Sequence, residues 1–236
     1  MAAGTHDETE RTVRLELDHT VLEATLGVPA EPVGVVLFAH GSGSSRHSPR
    51  NRFVARVLRD AGLATLLLDL LTPEEEAVDA RTRHLRFDIA LLADRLVAAT
   101  DWASQQPTIG ALRVGYFGAS TGGGAALVAA ALRPERVDAV VSRGGRPDLA
   151  GDALPMVRAP TLLIVGGADE PVIELNERAM ARMRRAEVRL EIVPGATHLF
   201  EEPGALEDVA RLARDWLGRH IGVATAHGTG SRSGHH

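Results

Sequence analysis

At 236 residues, 44% hydrophobic and 24% charged, the chain has the balance of one globular domain with a substantial core. A net charge of −5 and the lack of any cysteine exclude a general attraction to nucleic acid or anionic membrane, disulfides, thiolate catalysis and cysteine-ligated zinc. No apolar run would span a bilayer, and MAAGTHDETERT lacks a signal peptide's apolar stretch, so a cytoplasmic protein is expected.

In chain order, Thr12–Asp18 alternates Val13, Leu15 and Leu17 against polar neighbours, and Val21–Val28 continues the pattern. Alternation of this kind predicts an antiparallel pair at a sheet edge. Val33–Ala39 is continuously apolar, as a strand buried on both faces must be. It ends in the polar loop His40-Gly41-Ser42-Gly43-Ser44-Ser45. Arg52–Ala61 reads as helix, Leu63–Leu68 as a buried strand ending at Asp69, and Leu71–Arg83 as a charged connector. Leu85–Ala103 carries Leu85, Ile89, Leu92, Leu96 and Trp102 on a helical period.

The stretch Leu112 to Leu127 then runs from an apolar strand through Gly118-Ala119-Ser120-Thr121-Gly122 into a small-residue helix. Gly-x-Ser-x-Gly at a strand-to-helix turn lifts a serine hydroxyl clear of the sheet, above free N–H groups and a positive dipole end. Such turns also bind phosphate, but a P-loop needs a lysine, and every basic side chain other than histidine is arginine. Strands follow at Val137–Val141, Thr161–Val165 and Val188–Val193, with helices at Ile173–Arg184 and Ala205–Leu217. The segment from Gly222, ending GTGSRSGHH, is expected to lie outside the domain (1–221) as a disordered tail, 222–236, with the look of an added tag.

Strands alternating with helices predict an α/β fold with a mostly parallel sheet, helices on both faces, and functional groups beyond the carboxyl ends of the strands. Ser120, Asp169 and His198 each follow a strand, in that order. A serine hydroxyl needs a histidine base, and the base needs a carboxylate to orient it. Ser120 or Asp169 could instead cap its helix; Glu170, Asp148 and Asp152 are alternative acids, and His40 is the rival base. Arg46, Arg50 and Arg143 flank the expected mouth and could recognise an acidic group, or could simply be solvated or ion-paired. His84, Arg86 and Asp88 open the long helix as lining or as surface.

The motifs His40-Gly41-Ser42-Gly43, Gly118-Ala119-Ser120-Thr121-Gly122, Gly166-Gly167-Ala168-Asp169 and Gly195-Ala196-Thr197-His198-Leu199-Phe200 together resemble the α/β-hydrolase superfamily. Within it they resemble the dienelactone-hydrolase-like branch of small, lidless enzymes, over about Val13 to Leu217. The resemblance implies an α/β-hydrolase fold without a cap domain, since only Ser142 to Pro160 separates two strands where caps are inserted. It implies Ser120 as nucleophile, His198 as base, Asp169 as acid and His40 as a structural member of the oxyanion loop. The oxyanion donors would be the Thr121 amide and that of Ser42, with Gly43 as the alternative. Dienelactone hydrolases use cysteine where this chain has serine, which points away from dienelactone and leaves ester hydrolysis.

The expected function is a serine carboxylester hydrolase for short-chain esters or lactones, needing no cofactor or metal. Its partner would be a small ester, with no nucleic acid or membrane, and the protein a monomer or homodimer. An acyltransferase or perhydrolase would use the same triad, and a non-catalytic binding protein could keep the same fold.

Overall fold

A computed structural model describes residues 9–17 and 20–222; most of the expected tail, 223–236, lies outside the described residues. Eight strands form one sheet: β1 (Thr9–Leu17), β2 (Thr20–Val28), β3 (Gly34–Ala39), β4 (Leu63–Leu68), β5 (Val114–Ala119), β6 (Val137–Arg143), β7 (Thr161–Gly166) and β8 (Val188–Val193). Their order is β1-β2-β4-β3-β5-β6-β7-β8. β1 and β2 are antiparallel to each other, β2 is antiparallel to β4, and every other pairing is parallel. The edge hairpin is thus as its alternation predicts. β3, β4, β5 and β7 are buried at every position, as continuous apolar runs require.

The helices are α1 (Pro49–Asp60), α2 (Pro73–Thr82), α3 (Ile89–Ser104), α4 (Thr121–Leu132), α5 (Glu170–Arg182) and α6 (Ala205–Ile221). Alternate residues of β3 feed two cores. Val35, Leu37 and Ala39 face α3, α4 and α5; Val36 and Phe38 face α1 and α6. Phe38 and Phe117 pack with ring centroids 4.9 Å apart, tying β3 to β5 on the α1–α6 side. The chain leaves β3 toward β4 on one side and returns to β5 on the other. That reversal is the topological switch point where parallel sheets open a crevice.

Among the boundaries that differ from expectation, three have a local cause. Leu71–Arg83 is not a connector but contains α2. Thr72 accepts from the Glu75 N–H while the Glu75 carboxylate accepts from the Thr72 N–H, a capping box followed by Pro73 at the first helical position. The helix predicted over Leu85–Ala103 is broken, because the Asp88 carboxylate accepts from the Leu91 N–H and caps α3; Leu85–Phe87 is a separate 3₁₀ turn. α1 starts at Pro49 rather than Arg52, with Ser48 as its cap. Between β6 and β7 only the 3₁₀ segment Pro147–Met156 intervenes, so the described residues contain no cap domain.

Candidate functional site

Ser120 stands at the apex between β5 and α4 with φ 52° and ψ −121°, a conformation that costs a non-glycine residue of order 1–3 kcal/mol. Close packing holds it there. A Cβ on Gly122 would lie 2.2 Å from the Ala39 carbonyl oxygen, and one on Gly118 would lie 2.5 Å from that of Gly122. Both contacts are with backbone, which cannot rotate away, so these two positions admit only glycine. The Ser120 N–H donates to the Arg143 carbonyl at 3.2 Å, and its own carbonyl accepts from Arg146 N–H at 3.0 Å. The serine hydroxyl makes no capping bond to α4. The helix-cap reading of Ser120 therefore fails.

Asp169 sits at the start of α5 and likewise makes no capping bond. Its Oδ2 lies 2.7 Å from Nδ1 of His198. With a carboxylate at Nδ1, that nitrogen carries the proton and donates it, leaving the Nε2 lone pair free. The His198 ring reaches over Gly144, where an added Cβ would stand 3.6 Å from His198 Cε1. Gly144 adjoins the residue whose carbonyl holds the Ser120 amide, so the histidine loop and the serine turn meet at the end of β6. The alternative acids are occupied elsewhere: Asp148 pairs with Arg146 at 2.7 Å and Asp152 with Arg182 at 3.2 Å. Glu170 lies in the exposed first turn of α5.

Ser42 and Thr121 are neighbours, their hydroxyls 3.0 Å apart. Neither backbone N–H has an acceptor among the described residues. The loop carrying Ser42 is braced by His40, which is 7% exposed. The Leu70 N–H donates to His40 Nε2 at 3.0 Å, so Nδ1 holds the proton and donates to the Gly41 carbonyl at 2.9 Å. With both nitrogens committed, His40 is a strut and not a base. Burial pushes its pKa below the usual imidazole value. Below about pH 6.5 the unfolded chain therefore takes up a proton that the folded protein resists. This contribution to stability is full above that pH and erodes as pH falls toward the lowered folded value. Urea titrations are expected to show a steeper loss of stability from pH 7 to 5 in wild type than in His40→Gln.

A cavity of about 460 Å³ adjoins Ser42 and Thr121, between the loop that carries Ser42 and α2. Glu76, Asp79 and Arg86 line it together with Leu71 and Leu92. Asp79 is buried and takes Arg86 Nε at 2.5 Å, which fixes the cavity wall. Sequence reasoning missed this wall because it missed α2; the Thr72-Pro73-Glu74-Glu75 box was the available signal. His84 bonds Thr82 and Asp88 caps α3, so neither reaches the site, whereas Arg86 lines the cavity.

The three predicted arginines part company. Arg46 is consumed by ion pairs with Asp69 and with Glu23, the latter at 2.6 Å. Arg50, in the first turn of α1, holds Glu201 at 3.2 Å. Arg143, 5% exposed, lies at the end of β6 with its guanidinium carbon 5.8 Å from the centre of the Phe200 ring and Nη2 donating to Asn51 Oδ1 at 3.2 Å. Burial, with the charge of Arg50 adding to it, pushes its pKa down to about 10. Asn51 carries no site signal in the sequence, and Phe200 enters only as the end of the His198 motif; the fold brings both to Arg143.

The family model described as the dienelactone hydrolase family matches residues 22–220. A solved dienelactone hydrolase from Anabaena variabilis is 63% identical and superimposes with a TM-score of 0.89, over 92% of this chain and 100% of that one. Two Mycobacterium tuberculosis strains carry a relative 64% identical over 196 residues, provisionally named a phosphoribosyl transferase. The match takes in 83% of this chain but 43% of that relative, so the chain spans less than half the length of these curated relatives. A Bradyrhizobium protein, provisionally named a lactonase for 2-oxo-3-(5-oxofuran-2-ylidene)propanoate, is 30% identical over 167 residues, 63% of this chain and 66% of that one. No helix among the described residues is long and apolar enough to cross a membrane.

Proposed function

The chain belongs to the dienelactone hydrolase family and is a hydrolase by that membership; from this premise we propose that it is a serine carboxylester hydrolase. The observation that supports the reading is the Asp169–His198 hydrogen bond of 2.7 Å, at the same carboxyl end of the sheet as a Ser120 with positive φ and no capping bond. Ser120 Oγ attacks the ester carbonyl carbon as His198 Nε2 takes its proton. The developing oxyanion accepts hydrogen bonds from the Ser42 and Thr121 amides. The tetrahedral adduct collapses, the C–O bond breaks, and His198 returns the proton to the leaving alkoxide. Water then attacks the acyl-enzyme by the same route, releasing acid and free Ser120. Asp169 holds the tautomer throughout.

The lack of a cap and the polar wall beside the oxyanion loop support short, water-soluble acyl groups or lactones as substrates. Hydrolysis of p-nitrophenyl esters is expected to be fastest from acetate to butyrate and to fall by at least about tenfold at palmitate. A long-chain preference would overturn the short-chain assignment. Inertness toward the whole series, with no labelling by a fluorophosphonate, would overturn the serine hydrolase. The same triad would serve acyl transfer, and competition of alcohols or peroxide against water separates the two. Phosphoribosyl transfer is the name of proteins more than half of which lies beyond the match. The chemistry proposed for Ser120, His198 and Asp169 is acyl chemistry, so we do not carry that name's activity over to this chain.

A further inference from the structure

Asn176 is a polar side chain that the proposed acyl chemistry does not use, and it is fully buried in the middle of α5. Asparagine is a poor residue for a helix interior, because its amide competes with the backbone for hydrogen bonds. An apolar side chain would serve packing alone better. Here Nδ2 donates twice, to the Val172 carbonyl at 2.7 Å and to the Gly145 carbonyl at 3.1 Å. Both partners are acceptors, so the NH2 end of the amide must face them. Oδ1 is left buried with no hydrogen-bond partner, a costly state for an acceptor. The bond to Val172, one turn back, is local to the helix and needs no amide: Thr100 makes its equivalent to the Leu96 carbonyl with a hydroxyl, at 2.8 Å. The bond to Gly145 is the one that reaches out of α5, across 31 positions of the chain.

Gly145 lies in the segment that holds the serine turn. The Arg143 carbonyl accepts from the Ser120 N–H at 3.2 Å, and the Arg146 N–H donates to the Ser120 carbonyl at 3.0 Å. Gly144 and Gly145 are the span between those two anchors. The Gly144 N–H donates to the Ile164 carbonyl at 2.7 Å. Gly144 also backs His198, whose carbonyl oxygen and Cε1 would stand 3.1 Å and 3.6 Å from a Cβ added there. The Gly145 carbonyl accepts its only hydrogen bond among the described residues from Asn176. A Cβ on Gly145 would lie 1.8 Å from Ser142 Oγ, so the residue can have no side chain of its own to anchor it. α5 carries Asp169 at its start, two turns before Asn176 and on the same side of the helix. One amide thus ties the helix that presents Asp169 to the segment against which the Ser120 turn and the His198 ring both rest. We propose that Asn176 is a positioning residue for the reaction, holding Ser120, His198 and Asp169 in mutual alignment through Gly145. The inference rests on the serine hydrolase reading and adds to it a residue outside the triad. Misplacement of reacting groups by about 1 Å can cost about 10²-fold in rate. A span of two glycines, the most flexible of residues, is where such a shift would arise.

Asn176→Leu removes both donations at similar volume. Under conditions where circular dichroism shows it folded, kcat for p-nitrophenyl acetate is expected to fall by about tenfold or more, with KM within about twofold of wild type. The rate constant for fluorophosphonate labelling of Ser120 is expected to fall by the same factor, since labelling needs the Ser120–His198 alignment but no turnover of an acyl-enzyme. Asn176→Ser separates the two bonds. Its hydroxyl can reach the Val172 carbonyl but is too short for Gly145, so the same loss is expected, and it carries the test should Asn176→Leu fail to fold. Met183→Ala, which thins the core at the far end of the same helix, controls for a general loosening of α5. Its stability is expected to fall while kcat stays within about twofold of wild type. Unchanged kcat and labelling in either folded Asn176 variant, a loss confined to KM, or an equal fall of kcat in Met183→Ala overturns the positioning role and leaves the hydrolase reading intact. Failure of both Asn176 variants to fold makes the amide a bond of stability alone and overturns it likewise. A wild-type protein that neither hydrolyses esters nor labels overturns the hydrolase reading itself, and the positioning role with it.

Discussion

Ser120→Ala is expected to lower kcat/KM for p-nitrophenyl acetate by about 10⁴-fold or more, with no loss of folding stability. The size follows from its proposed role: without Oγ no acyl-enzyme forms, and the amides of Ser42 and Thr121 are left to assist attack by water alone. The unchanged stability follows from geometry. The hydroxyl makes no cap bond to α4, so its removal orphans no helix donor. Ser120→Gly sharpens the argument. At φ 52° glycine relieves backbone strain, and that variant is expected to be as inactive but about 1 kcal/mol more stable. A structural serine would give the opposite signs: activity retained and stability lost. Steady-state rates and urea unfolding of the three proteins check this, with fluorophosphonate labelling of wild type alone as the direct readout of Ser120.

Most of the fold was legible because its signals are local. The buried run Val33–Ala39, the alternation in Thr12–Asp18 and the glycines around Ser120 each obey one steric or solvation rule, and the fold honours all of them. α2 was missed because Glu74, Glu75 and Glu76 read as a solvated charge run. Its amphipathic signal is faint, and only Asp79 of its residues is buried. The capping box that defines it was nevertheless in plain view. The arginines show where sequence reading stops. Arg46 and Arg143 look alike as residues past strand ends. Their difference is set by partners 23 and 92 positions away in the chain, Asp69 for one and Asn51 for the other. Charge compensation is a property of the folded neighbourhood, and no local pattern reports it. The pairing of Asp169 with His198 across 29 positions was anticipated because both follow strands of one parallel sheet and lie in motifs that carry the family resemblance.

Asp169→Asn carries the second large expectation, a fall in kcat of about 10³ to 10⁴-fold with the fold and ester binding preserved. The carboxylate that accepts from His198 Nδ1–H becomes an amide able to donate there, which favours the tautomer with its proton on Nε2. That nitrogen then faces the serine as a donor and cannot take the Oγ proton. Asp169→Ala removes the orientation as well, without reversing the tautomer, and is expected to fall in the same range. The two substitutions should therefore agree in rate, since both remove the countercharge for the imidazolium formed in the transition state. Asp152→Asn is the internal control: its carboxylate is fully exposed and pairs with Arg182, and the rate is expected to stay within about twofold of wild type. Were Asp169→Asn to retain near-normal kcat, the 2.7 Å contact would be structural and the acid would have to be sought elsewhere. The surviving rate in Asp148→Asn and Glu170→Gln would then locate it.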